Sequence, residues 1–241
     1  MAKGQAFSRA AELRDFVAGE LSRLSDPGRA KEMAAYMKTD MPFYGVQKPD
    51  RIPVFRAVKE RFPPSGVDEY RALTLALWQA EHREEKYLAL EYACRFVSKA
   101  GPGELVFFEQ MVREGAWWDF VDVIAGHLVG HLLLVHRSEI AGKLDRWVDD
   151  DDMWIRRTAI LSQLRHKKDT DVDRLFSYCL KRAHEKEFFI RKAIGWALRE
   201  YSYSDAAAVK GFLLENRQIL SPLTFKEGAK RLVKAGIMSG A

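Results

Sequence analysis

Trp154-Ile155-Arg156-Arg157-Thr158-Ala159-Ile160-Leu161 is answered 35 residues later by Phe189-Ile190-Arg191-Lys192-Ala193-Ile194-Gly195-Trp196. Each stretch leads with an aromatic, follows it with isoleucine and two cations, and continues with apolar residues at helical spacing. One step earlier, Trp117-Trp118 precedes Met153-Trp154 by 36 residues, and Lys86-Tyr87-Leu88-Ala89-Leu90-Glu91-Tyr92 is a weaker echo. An aromatic-led helix returning at this interval, with another helix between, predicts an all-α solenoid of antiparallel helical pairs. Each pair buries its apolar face only by stacking on the next, so the array is expected to curve and present one inner surface.

Working outward, helical periodicity runs through almost the whole chain, from 8–24 and 27–38 to 223–235. The loop Thr39–Pro49, with two prolines and a glycine, interrupts it. No pair of β-rich runs flanks a tight turn. The strict period fails in the N-terminal third, yet no Gly-, Ser- or Pro-rich linker divides the chain. A single repeat domain over 1–241 is therefore expected, less regular over about 1–65. At 47% hydrophobic and 30% charged, the composition suits a packed core rather than disorder. No apolar run is expected to reach the ~18 residues of a membrane span. Met1–Gln5 lacks the apolar core of a leader, so a cytoplasmic setting without membrane contact is expected. Cys94 and Cys179 read as buried thiols. No clustered Cys/His set, His-Glu-x-x-His or glycine-rich phosphate loop is present, so no metal or cofactor is expected. Net charge is +5, unevenly placed: residues 151–241 carry 18 Lys and Arg against 11 Asp and Glu, residues 1–150 carry 21 against 23. A basic C-terminal half permits a polyanionic partner without requiring one.

Residues that break their own pattern mark candidate sites. In 117–134, Val121, Ile124, Ala125, Leu128 and Leu132 form one apolar face with Trp117 toward it, while Trp118 and Asp122 share its border. An indole beside a carboxylate can hold a flat or cationic group; a core Trp beside a carboxylate paired with a neighbouring Arg fits the same pattern. Arg157 falls within the stripe Trp154, Leu161, Leu164 and so needs a carboxylate or a phosphate, with Asp122 one repeat earlier a candidate partner. Its neighbour Arg156 points away. In 187–201, Trp196 lies opposite the apolar face with Lys192 and Arg199, either filling the gap beneath a neighbouring repeat or lining a groove. Further cations are Lys48, Arg51, Arg191, Lys226, Lys230, Arg231 and Lys234, and Tyr36 is either core or part of the same surface. His127 and His131, four apart, are expected well off the Asp122 side as surface or interface histidines.

Three runs together carry a resemblance: Trp117-Trp118-Asp119-x-x-Asp122, Trp154-Ile155-x-Arg157-x-Ala159-Ile160-Leu161, and Ala193-Ile194-Gly195-Trp196-x-Leu198-Arg199-Glu200-Tyr201. With Met33-Ala34-x-Tyr36-Met37-Lys38 and Phe43-x-Gly45-Val46, they closely resemble the AlkD-like family of DNA alkylation repair glycosylases, from about Pro27 to the final helix. The resemblance implies a curved array of HEAT-like repeats whose basic concave face wraps duplex DNA. It implies a monomeric, monofunctional glycosylase that removes cationic alkylated purines, chiefly 3-methyladenine and 7-methylguanine, without flipping the base. It casts Asp122 as the catalytic carboxylate, Trp118 and Trp196 as aromatics along the deoxyribose, and Arg157 as the cleft arginine. Tyr36, Lys48, Arg51, Arg156, Arg191, Lys192, Arg199, Lys226 and Lys230 are then the expected DNA-binding residues. Two other classes stay open: a non-catalytic repeat protein that binds damaged or bent duplex, and a protein-interaction scaffold.

Overall fold

The computed structural model describes residues 2–239, with side chains from Ser8 onward, so the Met1–Gln5 stretch read above lies largely outside the described side chains. Among the described residues there is helix and turn but no strand. The chain divides into two compact units, Met1–Gly101 and Pro102–Ala241.

The first unit holds α1 (Ala2–Arg23), α2 (Pro27–Met37), α3 (Lys48–Arg61), α4 (Val67–Trp78) and α5 (Arg83–Arg95). Asp26 starts α2 by accepting from the backbone N–H groups of Gly28 and Arg29, with Pro27 in the first turn where its missing donor costs nothing. The Pro-Gly loop that follows is pinned by one buried carboxylate. Glu84 of α5 accepts from the N–H groups of Tyr44, Gly45 and Val46 at 3.1, 2.8 and 3.0 Å. A loop too irregular to satisfy its own backbone thus borrows acceptors from a helix.

The second unit forms the repeat that the sequence predicts. Its helices are α6 (Leu105–Gly115), α7 (Trp118–Val123), α8 (Gly130–Val135), α9 (Arg137–Trp147), α10 (Met153–Leu161), α11 (Val172–Lys181), α12 (Phe188–Tyr201), α13 (Ala206–Glu215) and α14 (Pro222–Lys234). A π-helical segment, Ile124–Val129, joins α7 to α8. The second helices of successive pairs stack in a row, α10 against the α7–π segment, α12 against α10, and α14 against α12. Side-chain caps start four of these helices: Asp152, Asp171, Asp205 and Ser221 each accept from a backbone N–H in the first turn of the helix they precede. Each such cap is worth about 1 kcal/mol.

The aromatics that mark the period in sequence meet in space. Trp117, Trp154 and Phe189 form one cluster, with ring centroids 6.0, 4.9 and 5.7 Å apart. Two glycines allow the row to close up. A Cβ at Gly130 would sit 2.5 Å from the carbonyl oxygen of Ser162, and one at Gly195 would sit 2.5 Å from Cβ of Glu227 on α14.

One expectation needs correcting. Trp118–Val135 is 18 residues long and apolar enough, by length and composition, to cross a membrane. Burial accounts for that apolarity: Phe120, Val121, Ile124, Ala125, Leu128, Val129, Leu132 and Leu133 all lie in the core. About half of the segment is buried, and its polar residues Asp119, Asp122, His127 and His131 stay at least partly exposed. Of the two thiols, Cys179 is buried and Cys94 only half-buried, both unbridged.

Candidate active site

The centre of the second unit's helical row is an ion pair. Arg157 of α10, nearly fully buried, donates from Nε to Oδ1 of Asp122 at 2.7 Å and from Nη2 to Oδ2 at 2.9 Å. Its remaining terminal nitrogen, Nη1, donates to the carbonyl of Phe189 on α12, whose ring lies 5.8 Å from the guanidinium. One side chain therefore ties three successive repeats, and its planar fork suits the fixed carboxylate geometry. The buried charge that looked out of place in its stripe has the partner it needed.

Asp122 is held but not sealed. Its carboxylate keeps 16% of its exposure and lines a half-open cavity of about 420 Å³ together with Gly126, His127, Leu164, Arg165, Lys167, Trp196 and Glu200. Burial pushes the Asp122 carboxyl above its ordinary value, Asp119 adds to the rise, and the contacts with Arg157 work against it. Arg157 thus limits the cost of the charge without abolishing it, a weaker effect than an arginine that simply keeps the carboxylate ionised. A second cavity of about 390 Å³ shares Leu164, Lys167 and Glu200 with the first.

The structure brings Asp122, Arg157 and Trp196 together. Trp196 is half-buried, with its indole on the cavity rather than beneath a neighbouring repeat. Trp118 is half-buried one helical turn before Asp122 and is not among the cavity's lining residues. The other expected cations divide by what already holds them. Arg156 is engaged by Glu185 at 2.9 and 3.0 Å and by the carbonyls of Asp150 and Asp151. Lys192 and Arg199 converge on Glu227 of α14, at 2.9 and 2.6 Å. Arg191 is half-buried on α12. Lys226 and Lys230 are exposed on α14. In the first unit, Arg51 is buried, donating to the carbonyl of Val46 at 3.1 Å with its guanidinium 4.8 Å from the Tyr87 ring centre. Lys48 is exposed at the start of α3, and Tyr36 is 75% exposed, which excludes a core role.

His127 overturns an expectation. On an α-helix, at about 3.6 residues per turn, a residue five positions on lies far around from its start. Ile124–Val129 is π-helical, with wider turns, so the α-helical projection does not hold there, and His127 lines the same cavity as Asp122. Nothing in composition or periodicity announces a π segment. Arg165, Lys167 and Glu200 also escaped the sequence reading, although a signal existed. The 35-residue offset puts Arg165 in register with Glu200, and it puts Asp122, Arg157, Lys192 and Glu227 at one register position in four successive repeats.

The second unit thus holds a half-open cavity lined by an arginine-clamped carboxylate, an indole and two exposed cations. The family model described as DNA alkylation repair enzyme matches residues 17–232. The chain belongs to the AlkD-like family of DNA alkylation repair enzymes. Its fold is accordingly the family's all-α, HEAT-like repeat. Among solved structures, it is similar to one described as a predicted DNA alkylation repair enzyme from Enterococcus faecalis, with 31% identity and a TM-score of 0.79, covering 87% of this chain and 97% of that one. AlkD2 from Streptococcus mutans shares the fold at 17% identity and a TM-score of 0.59, covering 83% of this chain and 98% of that one. A comparison with curated proteins finds no match.

Proposed function

We propose that this AlkD-like chain is a monofunctional DNA glycosylase hydrolysing the N-glycosidic bond of cationic alkylated purines, chiefly 3-methyladenine and 7-methylguanine, in duplex DNA. The observation that carries the reading is the Asp122 carboxylate, clamped by Arg157 yet open to a cavity lined by Trp196. Alkylation at N3 or N7 leaves positive charge on the purine, so the base departs neutral and needs no strong general acid. What needs stabilising is cationic character developing on the deoxyribose as the C1′–N bond breaks. An ionised Asp122 facing that sugar stabilises it electrostatically and orients water toward C1′. The substrate's own charge favours the ionised carboxylate that burial disfavours, so approach of the lesion poises the group for its task. Trp196 packs along the sugar and narrows the access of bulk water, with Trp118 as a second wall reached on DNA binding. Exposed Lys48, Lys226 and Lys230, with Tyr36, supply backbone contacts, whereas Arg51 and Arg156 act through the loops and turns they brace. The cavity is half-open, which suits a lesion processed while stacked, and the enzyme works as a cytoplasmic monomer on nucleoid DNA.

Asp122→Asn tests this with a duplex carrying 7-methylguanine. Release of free base is expected to fall at least ~100-fold, in the range of losing a transition-state electrostatic contact. Duplex affinity, followed by fluorescence anisotropy, is expected to persist. Unchanged release in the variant overturns the assignment of Asp122. A wild-type protein that binds duplex tightly and frees no base supports the non-catalytic class instead.

A further inference from the structure

Arg157 is poorly placed to grip DNA at the Asp122 cavity. Three of its five N–H donors are held by Asp122 and the carbonyl of Phe189, and its side chain is only 5% exposed. A duplex seated there still brings phosphates to the rim, and the rim carries other cations. Arg165 and Lys167 are exposed, lie on the turn after α10, and line the cavity with His127. Lys167 is held at φ 53°, a left-handed backbone that lysine seldom adopts, and its side chain faces both cavities.

Arg165 Nη1 lies 3.4 Å from His127 Nε2. A guanidinium has no lone pair to offer, so the imidazole nitrogen accepts, and the ring is neutral with its proton on Nδ1. Burial and the charge of Arg165 both hold His127 below its ordinary value in the free protein. The charged groups facing it across the cavity are Asp122 from α7, Arg165 and Lys167 from the turn after α10, and Glu200 from α12. His131 follows one turn on, at the start of α8, and α6, packed against the π segment, turns none of its charged groups into the lining. Burial is the larger cause of the lowering at His127 and the Arg165 charge the second, so an anion that takes up Arg165 removes one of the two.

We propose that His127 and Arg165 close together on one backbone phosphate of the duplex at the rim of the Asp122 cavity, and that His127 takes up a proton from solvent as the phosphate seats. The phosphate takes the Nη1 donor that now points at Nε2. The freed lone pair binds a proton, and the resulting N–H donates to a phosphate oxygen. Two cations then flank one anion beside the scissile sugar, one from the π segment and one from the turn after α10.

This inference rests on the DNA-processing reading, so its test separates the two. Titration calorimetry of the full chain with a short undamaged duplex, in buffers of different ionisation enthalpy near neutral pH, counts protons taken up on binding. Wild type is expected to gain a substantial fraction of one proton, and to bind more tightly as pH falls by at most about tenfold per unit. In His127→Gln that uptake and that pH dependence are expected to disappear. Arg165→Ala, at an exposed position, is expected to lower the slope of log affinity against log salt by about 1. Equal proton uptake in His127→Gln, or an unchanged salt slope in Arg165→Ala, overturns the phosphate clamp while leaving the glycosylase reading standing. A wild type that binds no duplex overturns both.

Discussion

Asp122–Arg157 and Lys192–Glu227 occupy four consecutive posts of one register, and the two pairs behave oppositely. Glu227 is pushed up by burial, but Lys192 and Arg199 outweigh that and hold its carboxyl below the usual range. Asp122 has Arg157 alone, sits deeper among protein atoms than Glu227, and ends above the usual range because burial outweighs the single cation. The difference lies in the depth of burial and in the number of cations. Glu227 packs its Cβ against Gly195 of α12 and, through Lys192 and Arg199, straps α14 to α12. Asp122 opens on a cavity. The same repeat position thus makes a strap at one end of the row and a poised group at the other. Fold requires only that the charges along the register balance; chemistry requires one of them to stay under-compensated.

The most severe way to break this comparison is to remove the shared middle. Arg157→Ala leaves Asp122 buried without its partner and the Phe189 carbonyl without a donor. Breaking a buried pair from one side costs about 3–5 kcal/mol. Urea unfolding followed by circular dichroism is expected to show that loss, and Arg157→Lys should recover only part of it, because an ammonium cannot present the same fork. A loss below about 1 kcal/mol would mean the pair is no more than a surface contact.

Next in size is the acid limb of base release. The proposed mechanism requires an ionised Asp122, and its raised value would move the fall in rate to a pH above the ordinary ~3.9 of an aspartate. Release of 7-methylguanine from a pre-methylated duplex, corrected for spontaneous loss, is expected to decline on the acid side earlier than a solvated carboxylate would dictate. The stability signs are opposite for the two acids. With its folded value raised, Asp122 favours the fold while protonated, and that contribution is lost as pH climbs through the raised value. With its folded value lowered, Glu227 contributes above the ordinary value and loses that contribution as pH falls through the lowered one. An acid limb at or below the ordinary aspartate value would place the essential group elsewhere.

Much of this architecture can be read before any coordinates. The 35-residue return of Trp154 in Phe189 expresses a physical need, because those rings pack on one another between successive repeats. Arg157 inside an apolar stripe pointed to Asp122 for the same reason: a buried charge must be answered. The rest resisted for identifiable causes. His127 depends on a π turn, a change of pitch with no signature in residue type. Arg165 and Lys167 lie on the turn after α10 has ended, where helical periodicity no longer applies. Lys192 and Arg199 look like free cations from within their own helix, and only the close approach of α14 across Gly195 reveals that Glu227 takes them up. Local pattern reports each helix's own faces; the charge balance between repeats is legible only through the register.

The mildest perturbation sharpens the contrast most cleanly. Glu227→Gln keeps the side chain's length and its packing under Gly195 while removing the charge that Lys192 and Arg199 share. Both cations retain access to water, so the pairing is worth about 1 kcal/mol or less rather than the several of a fully buried pair. At neutral pH the variant should unfold at slightly lower urea concentration than wild type. The gap should narrow as pH is lowered past ~4, where wild-type Glu227 itself becomes neutral and the two chains carry the same charge. Base release should be unaffected, since the strap lies at the far end of the register from Asp122. A variant that loses activity in step with Asp122→Asn would mean that charge at one end of the row is felt at the other, and the two pairs would then form one coupled ladder rather than a strap and a site.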